Sequence, residues 1–133
     1  MDHESLRAAA IAAASNSYSP YSRFRVGAAL LCADGTIVSG TNVENRSYGL
    51  TICAERSAIA AAISAGHREF TAIAVYSPDA PMPLPPCGAC RQVISEFMDH
   101  DAIVHFSDAD GRWEHASVKE IIPFDSLHHL RQP

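Results

Sequence analysis

Thr51-Ile52-Cys53-Ala54-Glu55-Arg56 is followed further along the chain by Pro86-Cys87-Gly88-Ala89-Cys90-Arg91-Gln92. Cys87 and Cys90 are three residues apart, so on the first turn of a helix their sulfur atoms point to one side. With Cys53 they supply three thiolates, a donor set that suits a tetrahedral zinc ion. The motif offers no obvious fourth ligand, and an open coordination position is typical of catalytic zinc. The sequence therefore predicts one zinc ion per chain, held by Cys53, Cys87 and Cys90.

The two residues that follow this first cysteine have predicted roles of their own. Glu55 lies close enough to Cys53 to move the proton of a water on the metal without binding the ion. Zinc lowers the pKa of bound water from about 15.7 toward 7, which gives a nucleophile at neutral pH. Three thiolates on a divalent ion leave a net charge of about −1, which weakens its Lewis acidity. Arg56 is predicted to offset that charge, whereas Arg91 is interpreted as a solvated helix residue.

The cysteines allow other interpretations. The four cysteines could form two disulfides in a secreted protein, but the polar start of the chain has no signal-peptide pattern, and no apolar run approaches the roughly 18 residues of a membrane span. A thioredoxin-like redox pair would need a different strand and helix context. A structural zinc would need a fourth ligand, and Cys32 lies in an apolar run that predicts a small core residue. We therefore expect a reducing, cytoplasmic compartment and no membrane partner.

Composition narrows the class of partner. The chain has 133 residues and a net charge of −5, and we expect one domain over residues 1–133. Nucleic-acid binding needs basic patches, so the expected partner is a small molecule. The seven histidines are scattered and are predicted to lie on the surface: His3, His67, His100, His105, His115, His128 and His129.

The apolar periodicity predicts an α/β fold. It predicts helices over 4–15, 53–65, 87–98 and 118–121, and strands over 25–32, 36–43, 70–76, 102–106 and 113–116. Asp34-Gly35 indicates a hairpin between the first two strands, and Gly66 is a predicted helix C-cap. A hairpin followed by strand-helix-strand units indicates a three-layer α/β/α sandwich with a mixed five-stranded sheet. Right-handed crossovers would place both cysteine helices on one face, with adjacent N-termini.

Several segments resemble a known family. Cys53-Ala54-Glu55 with Pro86-Cys87-Gly88-Ala89-Cys90 resembles the three-cysteine signature of the zinc-dependent nucleoside deaminases. Further segments resemble the small homotetrameric cytidine deaminases in particular: Tyr18-Ser19-Pro20-Tyr21-Ser22-Arg23-Phe24-Arg25-Val26-Gly27-Ala28-Ala29-Leu30, Gly40-Thr41-Asn42-Val43-Glu44-Asn45 and Gly88-Ala89-Cys90-Arg91-Gln92-Val93. The resemblance extends in order over most of the chain.

The resemblance implies a fold, a reaction and a set of substrate contacts. It implies a cytidine deaminase-like homotetramer that converts cytidine and deoxycytidine to uridine and deoxyuridine in pyrimidine salvage, with attack of activated water at carbon 4 and loss of ammonia. Glu55 would carry the protons. Asn42 and Glu44 would hold the ribose hydroxyls, Phe24 would pack near the base, and the amide of Ala54 would bind the pyrimidine carbonyl oxygen. From the residues alone, Asn42 and Glu44 indicate an ordinary turn, and Phe24 indicates core packing.

The chain departs from the family pattern at two places. Pro85 stands where the family commonly has serine, but the contact expected there is a backbone carbonyl, so we expect function to survive. Phe124 directly follows Pro123, whereas family members tend to have a phenylalanine a few residues later that reaches a neighbouring subunit's site. The assignment of Phe124 to such a site therefore stays open.

Two other functions remain as alternatives. One is a deaminase for a modified cytosine nucleoside of the blasticidin type. The other is a non-catalytic, zinc-stabilised nucleoside-binding module. Glu55 argues against the second, because a site without catalysis has no need of a carboxylate beside an open metal position.

Overall fold

A mixed five-stranded sheet lies at the centre of this computed structural model, which describes residues 3–132. The strands are β1 (Gly27–Cys32), β2 (Ile37–Thr41), β3 (Phe70–Tyr76), β4 (Met98–Ser107) and β5 (Trp113–Ser117). They lie in the order β2-β1-β3-β4-β5; β3 and β4 run parallel, and the other neighbouring pairs are antiparallel. The predicted mixed sheet is confirmed.

Helices cover both faces of this sheet. They are α1 (His3–Ala14), α2 (Ala54–Ser64), α3 (Gly88–Phe97) and α4 (Val118–Ile121). On one face, Leu6 and Ala10 of α1 pack against small and aliphatic residues of β1 and β3. On the other face, α2, α3 and α4 share a second core with β1, β3 and β4. The three-layer α/β/α prediction is therefore confirmed. None of the helices among residues 3–132 is both long and apolar enough to cross a bilayer.

Two glycine turns occur where the sequence predicts them. Gly35 in the β1–β2 hairpin has φ +92° and donates its amide to the Cys32 carbonyl at 2.9 Å. Gly66 has φ +100° after α2, and its amide bonds the Ile63 carbonyl at 3.0 Å. Both conformations are left-handed, which glycine adopts without a steric penalty.

A third glycine fixes how α2 sits on the sheet. A Cβ added at Gly40 of β2 would lie 2.3 Å from the backbone nitrogen of Ala58 in α2. Real side chains do not approach backbone so closely, so the helix packs directly on the strand. Because α2 begins beside Cys53, this contact also sets where the predicted site lies.

The start of β4 differs from the prediction. We expected a strand from residue 102, but β4 begins at Met98, immediately after α3 ends at Phe97. Met98 is fully buried and pairs with Phe70 in β3, and the register then shifts before regular pairing resumes at Ala72. The sequence does not indicate that β4 starts at Met98, because the exposed, polar run Asp99–Asp101 interrupts the apolar pattern of the strand.

One histidine prediction is wrong. His105 was expected on the surface, but it lies in β4 and is 3% exposed. Arg7 of α1 contacts its Nδ1 at 3.1 Å, and the guanidinium of Arg7 also lies over the Trp113 ring. Burial, together with the charge of Arg7, lowers the pKa of His105 to about 4. The ring is therefore neutral at pH 7, which explains how it is tolerated in the interior.

Replacing Gly40 by alanine tests the close packing of α2. The Gly40→Ala methyl group would push α2 away from β2. We therefore expect the free energy of unfolding to fall by about 1–3 kcal/mol, as in other overpacked interiors, so that the variant unfolds at a lower denaturant concentration. Gly49→Ala is the matched control, because a Cβ there meets no atom within 4 Å. Equal stability of the two variants in chemical denaturation would contradict direct contact between α2 and the strand.

Candidate active site

The N-termini of α2 and α3 bring the three predicted ligands together. Cys53 and Cys87 are the N-cap residues of the two helices, and Cys90 lies in the first turn of α3. Neither cap cysteine accepts a capping hydrogen bond from a backbone amide of its own helix through its sulfur. The Sγ atoms of Cys53 and Cys87 are 3.8 Å apart, and all three sulfurs lie within 4.8 Å of one another.

This cluster fits a zinc ion. A tetrahedral ion with Zn–S bonds of about 2.3 Å separates its sulfur ligands by about 3.8 Å. Cys90 is buried, Cys53 is partly exposed and Cys87 is exposed, so one side of the cluster is open. Donor type, spacing and this open side agree with a zinc site that keeps one position for a non-protein ligand.

Positive charge lies against the sulfurs, as predicted for Arg56. Its Nη2 atom is 3.4 Å from the Cys53 Sγ. Hydrogen bonds from the Cys90 thiol and from Arg56 lower the pKa of Cys53 to about 5. Hydrogen bonds to Cys53 and Cys90 raise the pKa of Arg56, which stays charged. A thiolate is therefore already favoured at Cys53 in the protein without metal, and a bound ion would favour it further.

Glu55 lies in the first turn of α2 and is 4% exposed. Burial raises the pKa of its carboxyl to about 7, and the negative charge on Cys53 acts in the same direction. A group with a pKa near the working pH can both take up and release a proton efficiently. The carboxyl is thus suited to general acid–base chemistry beside the sulfur cluster.

A cavity of about 290 Å³ opens in front of the cluster. Its walls include seven of the residues singled out from the sequence: Phe24, Asn42, Glu44, Cys53, Ala54, Glu55 and Cys87. Cys90 and Arg56 are not part of this lining; Arg56 contacts Cys53, and Cys90 is buried with the other two sulfurs nearby. The structure therefore gathers the predicted residues around one cavity.

Asn42 and Glu44 are more than members of a turn. Asn42 is 8% exposed; its Oδ1 accepts the Val26 amide at 3.0 Å and its Nδ2 donates to the Phe24 carbonyl at 2.8 Å. The Glu44 carboxylate accepts the amides of Tyr21 and Ser22 at 2.9 and 3.1 Å. The two side chains thereby hold the segment that carries Phe24 against the cavity.

Two serines in the cavity wall were missed in the sequence. Ser107 ends β4, Ser77 directly follows β3, and both are almost fully buried. Ligand sites often lie at the carboxyl ends of neighbouring parallel strands. That rule could have identified them, but a small polar residue after a strand is also typical of an ordinary turn.

Arg91 is not the solvated residue that the sequence indicates. Its Nε donates to the Pro86 carbonyl at 2.7 Å and its Nη1 donates to the Ile121 carbonyl at 2.9 Å. The guanidinium thus joins the residue before Cys87 to the end of α4. No sequence signal identifies this contact, because its second partner lies thirty residues away.

Comparisons with known proteins agree with this site. A family model described as the cytidine and deoxycytidylate deaminase zinc-binding region matches residues 1–106. A cytidine deaminase of Halalkalibacterium halodurans is 49% identical over 123 residues, which are 92% of each chain. The chain belongs to the cytidine deaminase family. The matched zinc-binding region contains all three cysteines of the cluster, which could hold a metal ion.

Two other relatives differ in how similar they are to this chain. The crystal structure of cytidine deaminase from Burkholderia pseudomallei has a TM-score of 0.89 and 45% identity, and the match covers 93% of this chain and 98% of that one. A blasticidin-S deaminase of Bacillus cereus is 33% identical over 108 residues, 76% of each chain. The cytidine deaminases named here are thus more similar to this chain than that relative is.

The contacts of Arg91 give a test of its structural part in this site. Arg91→Gln would free the Pro86 carbonyl and loosen the segment that presents Cys87. We expect zinc affinity to fall about 10- to 100-fold, as for other residues that orient metal ligands. Competition with a chromophoric chelator measures this, with Arg131→Gln as control, since Arg131 contacts Asp99 near the other end of β4. Equal zinc affinity of the two variants would contradict the positioning role.

Proposed function

We propose that this chain catalyses the zinc-dependent hydrolytic deamination of cytidine and deoxycytidine to uridine and deoxyuridine, as part of pyrimidine salvage. The observation that carries the proposal is the buried Glu55 carboxyl group next to three clustered cysteines at the wall of one cavity. Family membership supports the same reaction class.

The residues of the cluster divide the chemistry between them. Cys53, Cys87 and Cys90 hold the zinc, and Arg56 offsets the charge of the sulfurs. When bound, zinc supplies a Lewis acid that makes water nucleophilic at neutral pH. Glu55 would take one proton from that water and deliver it to the ring nitrogen, where the proton stays. Glu55 would then carry the second proton, from the hydroxyl group now on carbon 4, to the departing amine.

The remaining cavity residues bind the nucleoside. Phe24 packs on the base, and Asn42 and Glu44 bind the ribose hydroxyls. The Ala54 amide is the first of α2 and has no partner within its helix, so it can donate to the pyrimidine carbonyl oxygen. The Glu44 carboxylate and the net charge of −5 support an uncharged nucleoside over a nucleotide or nucleic acid.

The alternatives have less support. A blasticidin-type substrate would require the more distant relative to be the better guide to specificity. A non-catalytic module gives no reason to bury a carboxyl group beside the cysteines, where desolvation is unfavourable. A low rate on cytidine with a high rate on a modified cytosine nucleoside would favour the first alternative, and zinc without turnover would favour the second.

Substituting Glu55 tests the proton-transfer role. Loss of cytidine absorbance in the ultraviolet measures turnover, and Glu55→Gln should lower kcat about 10²–10⁴-fold because proton transfer is lost. The variant should keep its zinc, whereas Cys87→Ser should lose zinc and stability together. Glu96→Gln, an exposed change on α3, is the matched control. A substantial rate in a zinc-loaded Glu55→Gln protein would contradict the role.

We propose that four copies assemble and cover the apolar surface beside the cavity. Segment 43–52 exposes Val43, Tyr48, Leu50 and Ile52, and Tyr48 is 74% exposed. Phe124 is 96% exposed, although it is one of the largest apolar residues. Several exposed apolar side chains in one segment, as in 43–52, are typical of protein interfaces.

Two further features concern location and domain organisation. Free thiols at all four cysteines support a reducing, cytoplasmic location. Both hydrophobic cores share one sheet, which supports one domain over residues 1–133.

Light scattering at several protein concentrations tests the assembly. We expect a mass of four chains for the unchanged protein and a smaller species for the double variant Tyr48→Ser and Leu50→Ser, because exposed apolar area would be removed. Met82→Ser is the control, since Met82 is 60% exposed outside that segment. A monomeric parent protein would contradict the proposed tetramer.

A further inference from the structure

A second group of metal-binding side chains lies near the far end of α2. Cys32 ends β1, Asp34 lies in the hairpin turn, and His67 follows the Gly66 cap of α2. We refer to these three residues as the hairpin cluster. The eleven residues of α2 separate it from the N-terminal end that carries Cys53, a length of about 16 Å. It is therefore distinct from the candidate active site.

The donor atoms of the hairpin cluster are close enough to share an ion. The Cys32 sulfur, an Asp34 oxygen and a His67 nitrogen all lie within 4.8 Å of one another, the same limit that groups the active-site cysteines. His67 Nδ1 is 3.8 Å from Asp34 Oδ2. A tetrahedral zinc ion would bring such a nitrogen and oxygen to about 3.4 Å. Small side-chain rotations are enough to close the difference.

The backbone holds each donor in place without a metal. The Cys32 amide donates to the Thr36 carbonyl at 2.8 Å, which fixes the end of β1 in the hairpin. Asp34 Oδ1 accepts the Thr36 amide at 2.9 Å, which leaves Oδ2 directed at His67. The His67 amide bonds the Ala62 carbonyl at 3.0 Å, so the end of α2 fixes the position of the ring. Little ordering is therefore needed on binding, which favours affinity.

The charges around the cluster favour a cation. The Thr36 amide lowers the pKa of Asp34, so its carboxylate is ionised at pH 7, and the C-terminal end of α2 adds partial negative charge. Arg68 is the nearby positive group, but its guanidinium donates to the Ile63 and His67 carbonyls. Burial raises the pKa of Cys32, so an ion must displace the thiol proton. That requirement favours metals with high affinity for sulfur over magnesium or calcium.

We propose that the hairpin cluster binds a second divalent transition-metal ion, of which zinc is the expected one, through Cys32 Sγ, an Asp34 carboxylate oxygen and His67 Nδ1. Sulfur, imidazole and carboxylate together form a donor set that zinc and cobalt accept. The ion joins the β1–β2 hairpin to the end of α2. Because it binds the folded chain, it stabilises that chain by mass action. The proposal does not depend on the proposed deaminase activity.

Metal counting on the zinc-loaded protein tests this site. Protein that holds one zinc per chain is equilibrated with Co²⁺, dialysed, and analysed for both metals, while thiolate-to-cobalt absorption is followed in the near ultraviolet. We expect one retained zinc and one cobalt per chain, with a new thiolate band. His67→Gln should weaken cobalt binding at least tenfold and leave the zinc in place. His115→Gln, which changes an exposed histidine outside the cluster, should bind cobalt as the parent does.

Two further variants keep the test independent of folding. Asp34→Asn retains a side-chain oxygen for the hydrogen bond from the Thr36 amide. Cys32→Ala should abolish the thiolate-to-cobalt band. Circular dichroism checks that both variants are folded. One metal per chain in excess cobalt would overturn the proposal. Cobalt binding that is unchanged in His67→Gln and Cys32→Ala would overturn it as well, because the ion would then lie elsewhere. Cytidine turnover is measured separately, so failure of the deaminase proposal would be visible on its own.

Discussion

The contact between the backbones of β2 and α2 at Gly40 determines where the rest of the site can lie. With no side chain between them, α2 sits directly on the sheet, and its first turn presents Cys53, Ala54, Glu55 and Arg56 at one fixed height. The N-terminus of α3 then meets that of α2, which leaves the Cys53 and Cys87 sulfurs 3.8 Å apart. A close-packed interior transmits any change in this spacing, because it has little free volume to absorb it.

Two nearby acidic groups of this turn have pKa values that are shifted in opposite directions. Cys53 is shifted toward the thiolate by the Cys90 thiol and by Arg56, whereas Glu55 is shifted toward the neutral acid by desolvation. The two residues are two positions apart in the chain, but one is partly exposed and the other is buried. Paired groups with separated pKa values are typical of sites where one residue binds and another transfers protons.

Local patterns predicted most of this architecture, and contacts between distant residues account for what was missed. The spacing of Cys87 and Cys90, the Asp34-Gly35 turn and the apolar periodicity depend on near neighbours, so the sequence alone reveals them. The start of β4 depends on pairing between Met98 and Phe70, and the burial of His105 depends on Arg7 from another layer. Arg91 likewise acts through Ile121. The roles predicted for Phe24, Asn42 and Glu44 came from resemblance, because an aromatic residue before a strand also suits core packing and polar residues after a strand also suit a turn.

Glu44 has a double duty at the mouth of the cavity. Its Oε1 atom accepts the Tyr21 and Ser22 amides, and Glu44 also lines the cavity where the nucleoside is proposed to lie. A sugar hydroxyl group that donates a hydrogen bond to this carboxylate would compete with the Tyr21 and Ser22 amides. If Glu44 binds the sugar as proposed, nucleoside binding and the order of the loop would be thermodynamically linked, and each would affect the other by the same factor. A sugar that lacks this hydroxyl would leave the hydrogen bonds between Glu44 and the Tyr21 and Ser22 amides undisturbed.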